Sequence, residues 1–306
     1  MDRRNFLHQV SLWSAGLLLT PPVFGLTSQA KADTNPQPDL FVAKGKDYAA
    51  MVEQVIGKLG GLKRFVKTGD RVVIKPNMGW DRTMDQAANT HPVVVKKIAE
   101  LCLDAGASKV LVFDRTCNEE RRCYTNSGIK PALDQIKDDR ISLSYIDDRK
   151  FVPVTIKDAM VLSQWTFYKD ALEADCYINV PVAKHHGLSG LSLGLKNIMG
   201  VIGGSRGRIH FQLGEKLADL NRVIAPAFTL VDATRVIVRN GPQGGDLADV
   251  KTLDTIIGSQ DPVAADAYAT TLFGLTPDQI ESTVHAHRAG LGQMNLDLCH
   301  IVHLTV

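Results

Sequence analysis

The sequence predicts an α/β fold in which a mostly parallel sheet carries helices on both faces. Short β-branched apolar runs recur along the chain with amphipathic stretches between them. The runs are apolar throughout rather than in alternation, as strands covered on both faces must be. A glycine-rich block from Gly187 to Gly207 is the sharpest change of composition, and it marks a candidate boundary, near residues 187–210, between two lobes around a central crevice.

Taken in order, strands are expected at Arg71–Lys75, Lys109–Asp114, Ile141–Ile146, Cys176–Val182, Phe228–Val231, Thr255–Ile257 and Ile301–Val306. Helical periodicity covers Tyr48–Leu59, Pro92–Ala105, Gly128–Lys137, Glu215–Ile224, Pro262–Phe273 and Pro277–Ala289. Thr90-His91-Pro92 and Asp261-Pro262 read first as helix starts, a cap followed by proline in the first turn; His91 also remains a candidate for proton transfer, and Asp266 lies farther into its helix, where it can face the crevice. Four strands run into polar groups: Lys75-Pro76-Asn77, Asp114, Lys184-His185-His186 and Asp232. An aspartate at a strand exit often only caps the next turn. Four such exits together point to one crevice beyond the carboxyl ends of parallel strands, where ligands bind in sheets of this kind.

The N-terminus, Met1-Asp2-Arg3-Arg4-Asn5-Phe6-Leu7, leads into a short apolar run broken by Pro21 and Pro22, and small residues follow at Ala30-Lys31-Ala32. This predicts a signal peptide over residues 1–32 of the twin-arginine type, rather than a membrane anchor, and a linker over 33–40. It implies export by the twin-arginine translocase to the periplasm or another extracytoplasmic space, with no stable membrane insertion after cleavage. Without residues 1–32 the basic and acidic residues balance, so no bulk charge draws the chain to nucleic acid. The five cysteines form no Cys-x-x-Cys pair, so no iron–sulfur cluster is expected. Cys117 and Cys123 are close enough in sequence to bridge in an oxidising compartment, or they are two loop thiols.

The stretch from Lys184 to His210 carries the most chemistry. Glycines at 187, 190, 194 and 200 let backbone approach a ligand closely, and bare N–H groups in such a loop hold anions. Neither a Walker A ending nor a Gly-x-Gly-x-x-Gly fingerprint is present. Of the adjacent His185 and His186, only one is expected to face a site, as ligand or proton carrier. Lys196 sits among apolar residues, where burial lowers an amine's pKa and makes it nucleophilic or phosphate-seeking. Arg206 and Arg208 can clamp a phosphate or carboxylate, and His210 adds a third imidazole.

In this order, the segments Val73-Ile74-Lys75-Pro76-Asn77, Thr90-His91-Pro92, Asp104-Ala105-Gly106-Ala107, Asn179-Val180-Pro181, Lys184-His185-His186, Gly194-Leu195-Lys196-Asn197, Asp232-Ala233-Thr234 and Asp261-Pro262-Val263-Ala264-Ala265-Asp266 resemble the family called domain of unknown function 362. The resemblance covers residues 41–306 and by itself implies no activity. A more distant likeness is to lactate racemase and its relatives, which use a nickel-pincer nucleotide. It implies that Lys196 holds a cofactor, His210 ligates a metal and His186 moves a proton or hydride. The glycine pair expected before the lysine is replaced here by Gly194-Leu195, and the spacing to His210 differs.

The catalytic candidates are therefore His186, Lys196 and Lys184. The cofactor-binding candidates are Lys75, Asn77, Gly190, Gly194, Asn197, Arg208 and Asp232, and the metal candidates are His210 and Asp114. Three functions compete: an exported racemase or oxidoreductase that uses a metal or nucleotide cofactor on a small carboxylate, a non-catalytic protein that captures a small anion or metal, and an accessory factor for a redox enzyme.

Overall fold

The computed structural model describes residues 39–306, which form one compact unit. The expected signal peptide and most of the expected linker lie outside the described residues. In chain order the elements are β1 (Asp39–Lys44), α1 (Tyr48–Lys58), β2 (Arg71–Pro76), α2 (Pro92–Asp104), β3 (Lys109–Val112), α3 (Glu120–Asn126), α4 (Ile129–Leu133) and β4 (Ile141–Leu143). They continue as β5 (Phe151–Thr155), β6 (Gln164–Tyr168), α5 (Lys169–Leu172), β7 (Cys176–Val180), β8 (Lys184–His186), β9 (Gly190–Ser192) and α6 (Gly194–Asn197). The chain ends with α7 (Leu213–Asn221), β10 (Phe228–Ile237), β11 (Val250–Ser259), α8 (Pro262–Thr271), α9 (Glu281–Arg288) and β12 (His300–Thr305).

Eight strands form the main sheet in the order β12-β1-β11-β10-β7-β2-β3-β4. Every neighbouring pair is parallel except those made by β11, which runs against β1 and β10. The predicted fold class, an α/β protein with a mostly parallel sheet, is thus the observed one. Alternate residues along each strand enter different cores, because successive side chains leave a strand on opposite faces. Val72, Ile74, Val110, Val112 and Ile178 pack with Met51, Val55, Val95 and Ile98 of α1 and α2. Val73, Leu111 and Phe113 pack on the other face with Ile198, Val201, Leu217 and Leu220. Farther along that sheet, Val231, Ala233 and Ile257 meet Ala264, Ala265 and Ala269 of α8. This two-sided burial is why the strands read as unbroken apolar runs.

Both predicted proline-led helix starts are present. The Asp261 carboxylate accepts from Val263 N and Ala264 N, each at 2.8 Å. His91 Nδ1 accepts from Val93 N at 3.2 Å, with Pro92 opening α2. Sequence reading missed β1, the β5–β6 hairpin and the small β8–β9 hairpin, all short or without a clear period. The linker expected to reach residue 40 stops earlier, since β1 begins at Asp39 and pairs with both β11 and β12. Nor does the glycine-rich block divide lobes: residues 187–210 sit inside the single compact unit.

The strand order reverses beside β2. From β2 the chain moves outward through β3 to β4, then returns to place β7 on the other flank of β2. Such a reversal opens a crevice above the carboxyl ends of the two central strands. Short α6 lies over that end and is held there by a buried carboxylate: Asp266 of α8 accepts Gly194 N at 2.7 Å and Leu195 N at 2.8 Å. Burial pushes the Asp266 pKa up to about 7, against the lowering effect of those two N–H groups. Replacing Asp266 by Ala strips two buried N–H donors of their acceptor, so Asp266→Ala is expected to lower unfolding free energy by ~2–5 kcal/mol. Asp266→Asn, which keeps one acceptor oxygen, should lose less; urea denaturation of both variants checks the order.

Candidate functional site

A cavity of about 620 Å³ opens above the ends of β2, β3 and β7. Eight of the sequence-predicted site residues line it: Lys75, Asn77, Asp114, Lys184, His186, Lys196, Asn197 and His210. The sequence supplied these side chains from strand exits and from the Lys184–His210 stretch, and the reversal of strand order brings them together.

Lys75 is the strut of the cavity floor. Its ammonium, almost wholly buried, lies 2.9 Å from Asp114 Oδ1 and donates to Asn197 Oδ1 at 2.9 Å and to Pro76 O at 2.6 Å. All three N–H donors are therefore engaged. Burial lowers its pKa, opposed chiefly by the Asp114 carboxylate. Asp114 is also fully committed, because Oδ2 accepts Met78 N at 2.8 Å. Asn197 completes the frame by donating to Lys75 O and to Asn179 Oδ1, both at 2.9 Å. Asn179 in turn donates to Gly194 O at 3.0 Å, which ties the network to α6.

The other two lysines are placed differently. Lys184, buried after β7, donates to Ala88 O and, at 3.2 Å, to Asn77 Oδ1; its amine also lies 5.9 Å from the Trp80 ring. Burial pushes its pKa down to about 7. With two hydrogens engaged, the third position on Nζ holds either a proton or a lone pair. Lys196 faces the same space, and its one hydrogen-bonding neighbour among the described residues is the Met199 thioether, 3.3 Å away, a weak acceptor. Burial brings its pKa to about 8. Arg206 on the cavity wall donates to Arg115 O and Thr116 O, each at 2.6 Å, and has no carboxylate partner among the described residues.

Of the adjacent histidines only His186 faces the cavity, as expected; His185 turns away and accepts Gly241 N at 3.1 Å. The His186 ring stacks on His210, with centroids 5.8 Å apart. Leu188 N and Ser189 N point at His186 Nδ1 from 3.1 and 3.2 Å, so Nδ1 accepts and the proton of the neutral ring sits on Nε2. Burial first, then the positive charge of Lys196, pushes the His186 pKa down to about 3. The His210 pKa is lowered by burial and Lys196 as well. At neutral pH His186 therefore offers the cavity an uncharged N–H.

Four predicted ligand-binding residues do not line the cavity. Asp232 lies inside β10, longer than expected, and is consumed internally: it accepts His91 N at 2.6 Å, Thr234 N at 2.9 Å and Thr234 Oγ1 at 2.7 Å. Gly194 is a glycine for a different reason, since a Cβ there would meet Asp266 Oδ1 at 2.7 Å. Gly190, at φ +70°, shapes the β8–β9 hairpin. Arg208 is exposed, while its neighbours Arg206 and Gly207 line the wall. The two metal candidates, His210 and Asp114, join no group of three or more His, Cys, Asp or Glu suited to a metal ion among the described residues. Cys117 and Cys123 are both free thiols, the first exposed and the second buried.

Sequence reading overlooked Trp80, Arg115, Cys117 and Met199 as cavity residues. Arg115 and Cys117 follow Asp114 directly in the loop after β3, so the strand-exit rule that found Asp114 extends to them. Trp80 and Met199 had no such signal.

The chain matches the family described as "Domain of unknown function (DUF362)" over residues 72–271, and it belongs to that family. It is similar to a thylakoid-associated protein of Synechocystis sp., 28% identical over 257 residues that cover 81% of this chain and 77% of the relative. Two solved structures align with part of the chain. A structural-genomics protein of Thermotoga maritima aligns at 12% identity and a TM-score of 0.45, over 74% of this chain and 59% of that one. The lactate racemase apoprotein of Thermoanaerobacterium thermosaccharolyticum aligns at 14% identity and a TM-score of 0.39, over 72% of this chain and 54% of the other. The chain thus spans less than two thirds of either solved protein.

Gly200 gives the cavity floor its closest tolerance, because a Cβ there would collide with Asp114 Oδ1 and with Cε and Nζ of Lys75. Gly200→Ala is expected to cost about 3 kcal/mol or more, since the buried ion pair has to part to admit a methyl group. Chemical denaturation measures the loss, and a variant as stable as wild type would contradict the packing described.

Proposed function

We propose that this cavity binds an anionic small molecule and that the chain is an extracytoplasmic, cofactor-dependent enzyme of the racemase or oxidoreductase kind acting on a small carboxylate. One observation carries the reading: a largely buried amine, Lys196, faces a cavity with no oxygen acceptor for it among the described residues, and Lys184, Arg206 and two imidazoles line the same space. A buried cation without a partner is costly, and an anionic ligand relieves that cost.

The residues present fit an anionic cofactor better than a bare metal ion. Lys196 and Arg206 would hold its negative groups, and His210 would be the protein's contribution to any metal, the remaining ligands coming from the cofactor. When bound, such a group supplies the electrophilic or redox chemistry. The chain's own residues handle protons. Lys184, with a pKa near 7 and two hydrogens already donated, is suited to take a proton on its free position at neutral pH. His186 donates a hydrogen bond from its Nε2–H to a substrate oxygen, because its Nδ1 is occupied.

The occupied Nδ1 also favours a second reading, a non-catalytic binding protein, since it leaves His186 no free basic nitrogen. Turnover of 2-hydroxy acids separates the two. For location, support comes from the Arg3-Arg4 leader and from the thylakoid association of the Synechocystis relative. No helix among the described residues is long and apolar enough to cross a membrane. Export would place the twin-arginine translocase among its partners.

Two measurements test the proposal. In protein purified from its native host, native mass spectrometry with elemental analysis should find a bound anionic cofactor that Lys196→Ala loses; if Lys196→Ala and His186→Ala both keep what wild type holds, the assignment of the site is wrong. Calorimetric titration of pyrophosphate into the unliganded protein should show an affinity that depends on pH. Lys184 and Lys196 carry protons below their values of about 7 and about 8, so binding is tightest below pH 7. Above pH 8 it should weaken by roughly tenfold per pH unit for each lysine that must recover its proton. The unliganded fold should respond in the opposite sense. Both pKa values lie below the ordinary 10.5, so the unfolded chain holds more protons between pH 7 and 10, and stability from these groups rises with pH there.

A further inference from the structure

Cys117 is an exposed thiol on the wall of the cationic cavity. Its position is fixed from both sides. Cys117 N donates to Gly79 O at 2.7 Å, and Arg206, which clasps the carbonyls of Arg115 and Thr116, brings Nη2 to 3.9 Å from the Cys117 sulfur. Lys75, Lys184 and Lys196 all lie within electrostatic reach of it. Lys75 is neutralised by Asp114, whereas the Lys196 amine aims into the same space with only a thioether beside it. The remaining thiols differ: Cys102, Cys123 and Cys176 are buried, and Cys299 is partly exposed, away from the cavity and 3.5 Å from Asn295 O.

We infer that Cys117 is a modification site for anionic disulfides, which the cavity's cations gather and orient, so that a mixed disulfide at Cys117 blocks the anion site. The sulfur of Cys117 attacks one sulfur of the disulfide, the original S–S bond breaks as the new one forms, and the departing half leaves as a thiolate; the Cys117 proton passes to solvent. The oxidant is the disulfide itself, and an external thiol reverses the step. In an oxidising space outside the cytoplasm such an exchange would couple ligand access to the thiol–disulfide balance. The inference rests on the cationic cavity and not on its being catalytic.

The test compares two aromatic disulfides on the mature protein: dithiobis(nitrobenzoate), which carries two carboxylates, and dithiodipyridine, which is neutral at pH 7. Mass spectrometry after proteolysis locates the adduct, and Cys299 serves as the internal control. Cys117 should be the first thiol modified by the dicarboxylate. Its preference for that reagent over the neutral one should exceed that of Cys299 by about tenfold or more, as electrostatic steering gives. Lys196→Met should remove most of this preference while leaving the neutral reagent's rate within about twofold. Cys117→Ser, at an exposed position, should fold and lose the fast phase. If Cys299 reacts first, or if the preference at Cys117 equals that at Cys299 or is unmoved in Lys196→Met, the inference is overturned. An enzyme with no turnover on any carboxylate would still show the exchange, so failure of the catalytic reading and failure of this one are distinct results.

Discussion

The buried pair of Lys75 and Asp114 is the constraint on which the site depends. Two opposite charges removed from water are stable only if their remaining hydrogen-bonding capacity is used, and here it is: by Pro76 O and Asn197 on the lysine, and by Met78 N on the carboxylate. Because Lys75 lies at the end of β2, next to its final residue Pro76, Asp114 follows β3 and Asn197 closes α6, the network around the pair pins three separate stretches of chain to each other. Gly200 is the complement of that geometry, a backbone position without a side chain that lies against both charges.

Lys75 is paired in the frame, whereas Lys184 and Lys196 face the cavity without a carboxylate beside them among the described residues. Among the described residues, the cavity gathers Lys184, Lys196, Arg206 and Arg115 around one carboxylate, Asp114, which Lys75 already holds. Burial depresses the amines toward neutrality and lowers the imidazoles further, so small changes in what occupies the space alter which groups hold protons. The charges of Lys184, Lys196 and Arg206 also lie near Cys117. Aspartates outside the cavity serve the scaffold: Asp266 holds α6, and Asp232 ties β10 to the start of α2.

How far the sequence could be read follows from the range of the interactions. Strands such as Arg71–Pro76 and Cys176–Val180 were plain because two-sided burial writes itself as an apolar run. Helix starts at Pro92 and Pro262 were plain because a cap and its proline act within a few residues. The short hairpins and β1 were not, since their pairing partners lie far away in sequence; β1, for instance, is defined by β11 and β12. At the site, residues that leave strands toward the crevice were legible: Lys75, Asn77, Asp114 and Lys184. Asp232 looked the same in sequence, but β10 continues through it and turns its carboxylate to His91 and Thr234.

Sequence alone determined the fold class, the direction of most strands and several of the side chains that line the cavity, because these follow from local periodicity and from which side chains stand at strand ends. Tertiary structure decided the rest. Whether a lysine is neutralised, as Lys75 is, or left facing a cavity, as Lys196 is, depends on a carboxylate more than thirty residues distant in one case and on its lack in the other. Which nitrogen of His186 bears the proton depends on two backbone N–H groups that a turn aims at it. Charge state and proton position are set by the distance and burial of partners, and a linear chain does not specify these until it has folded.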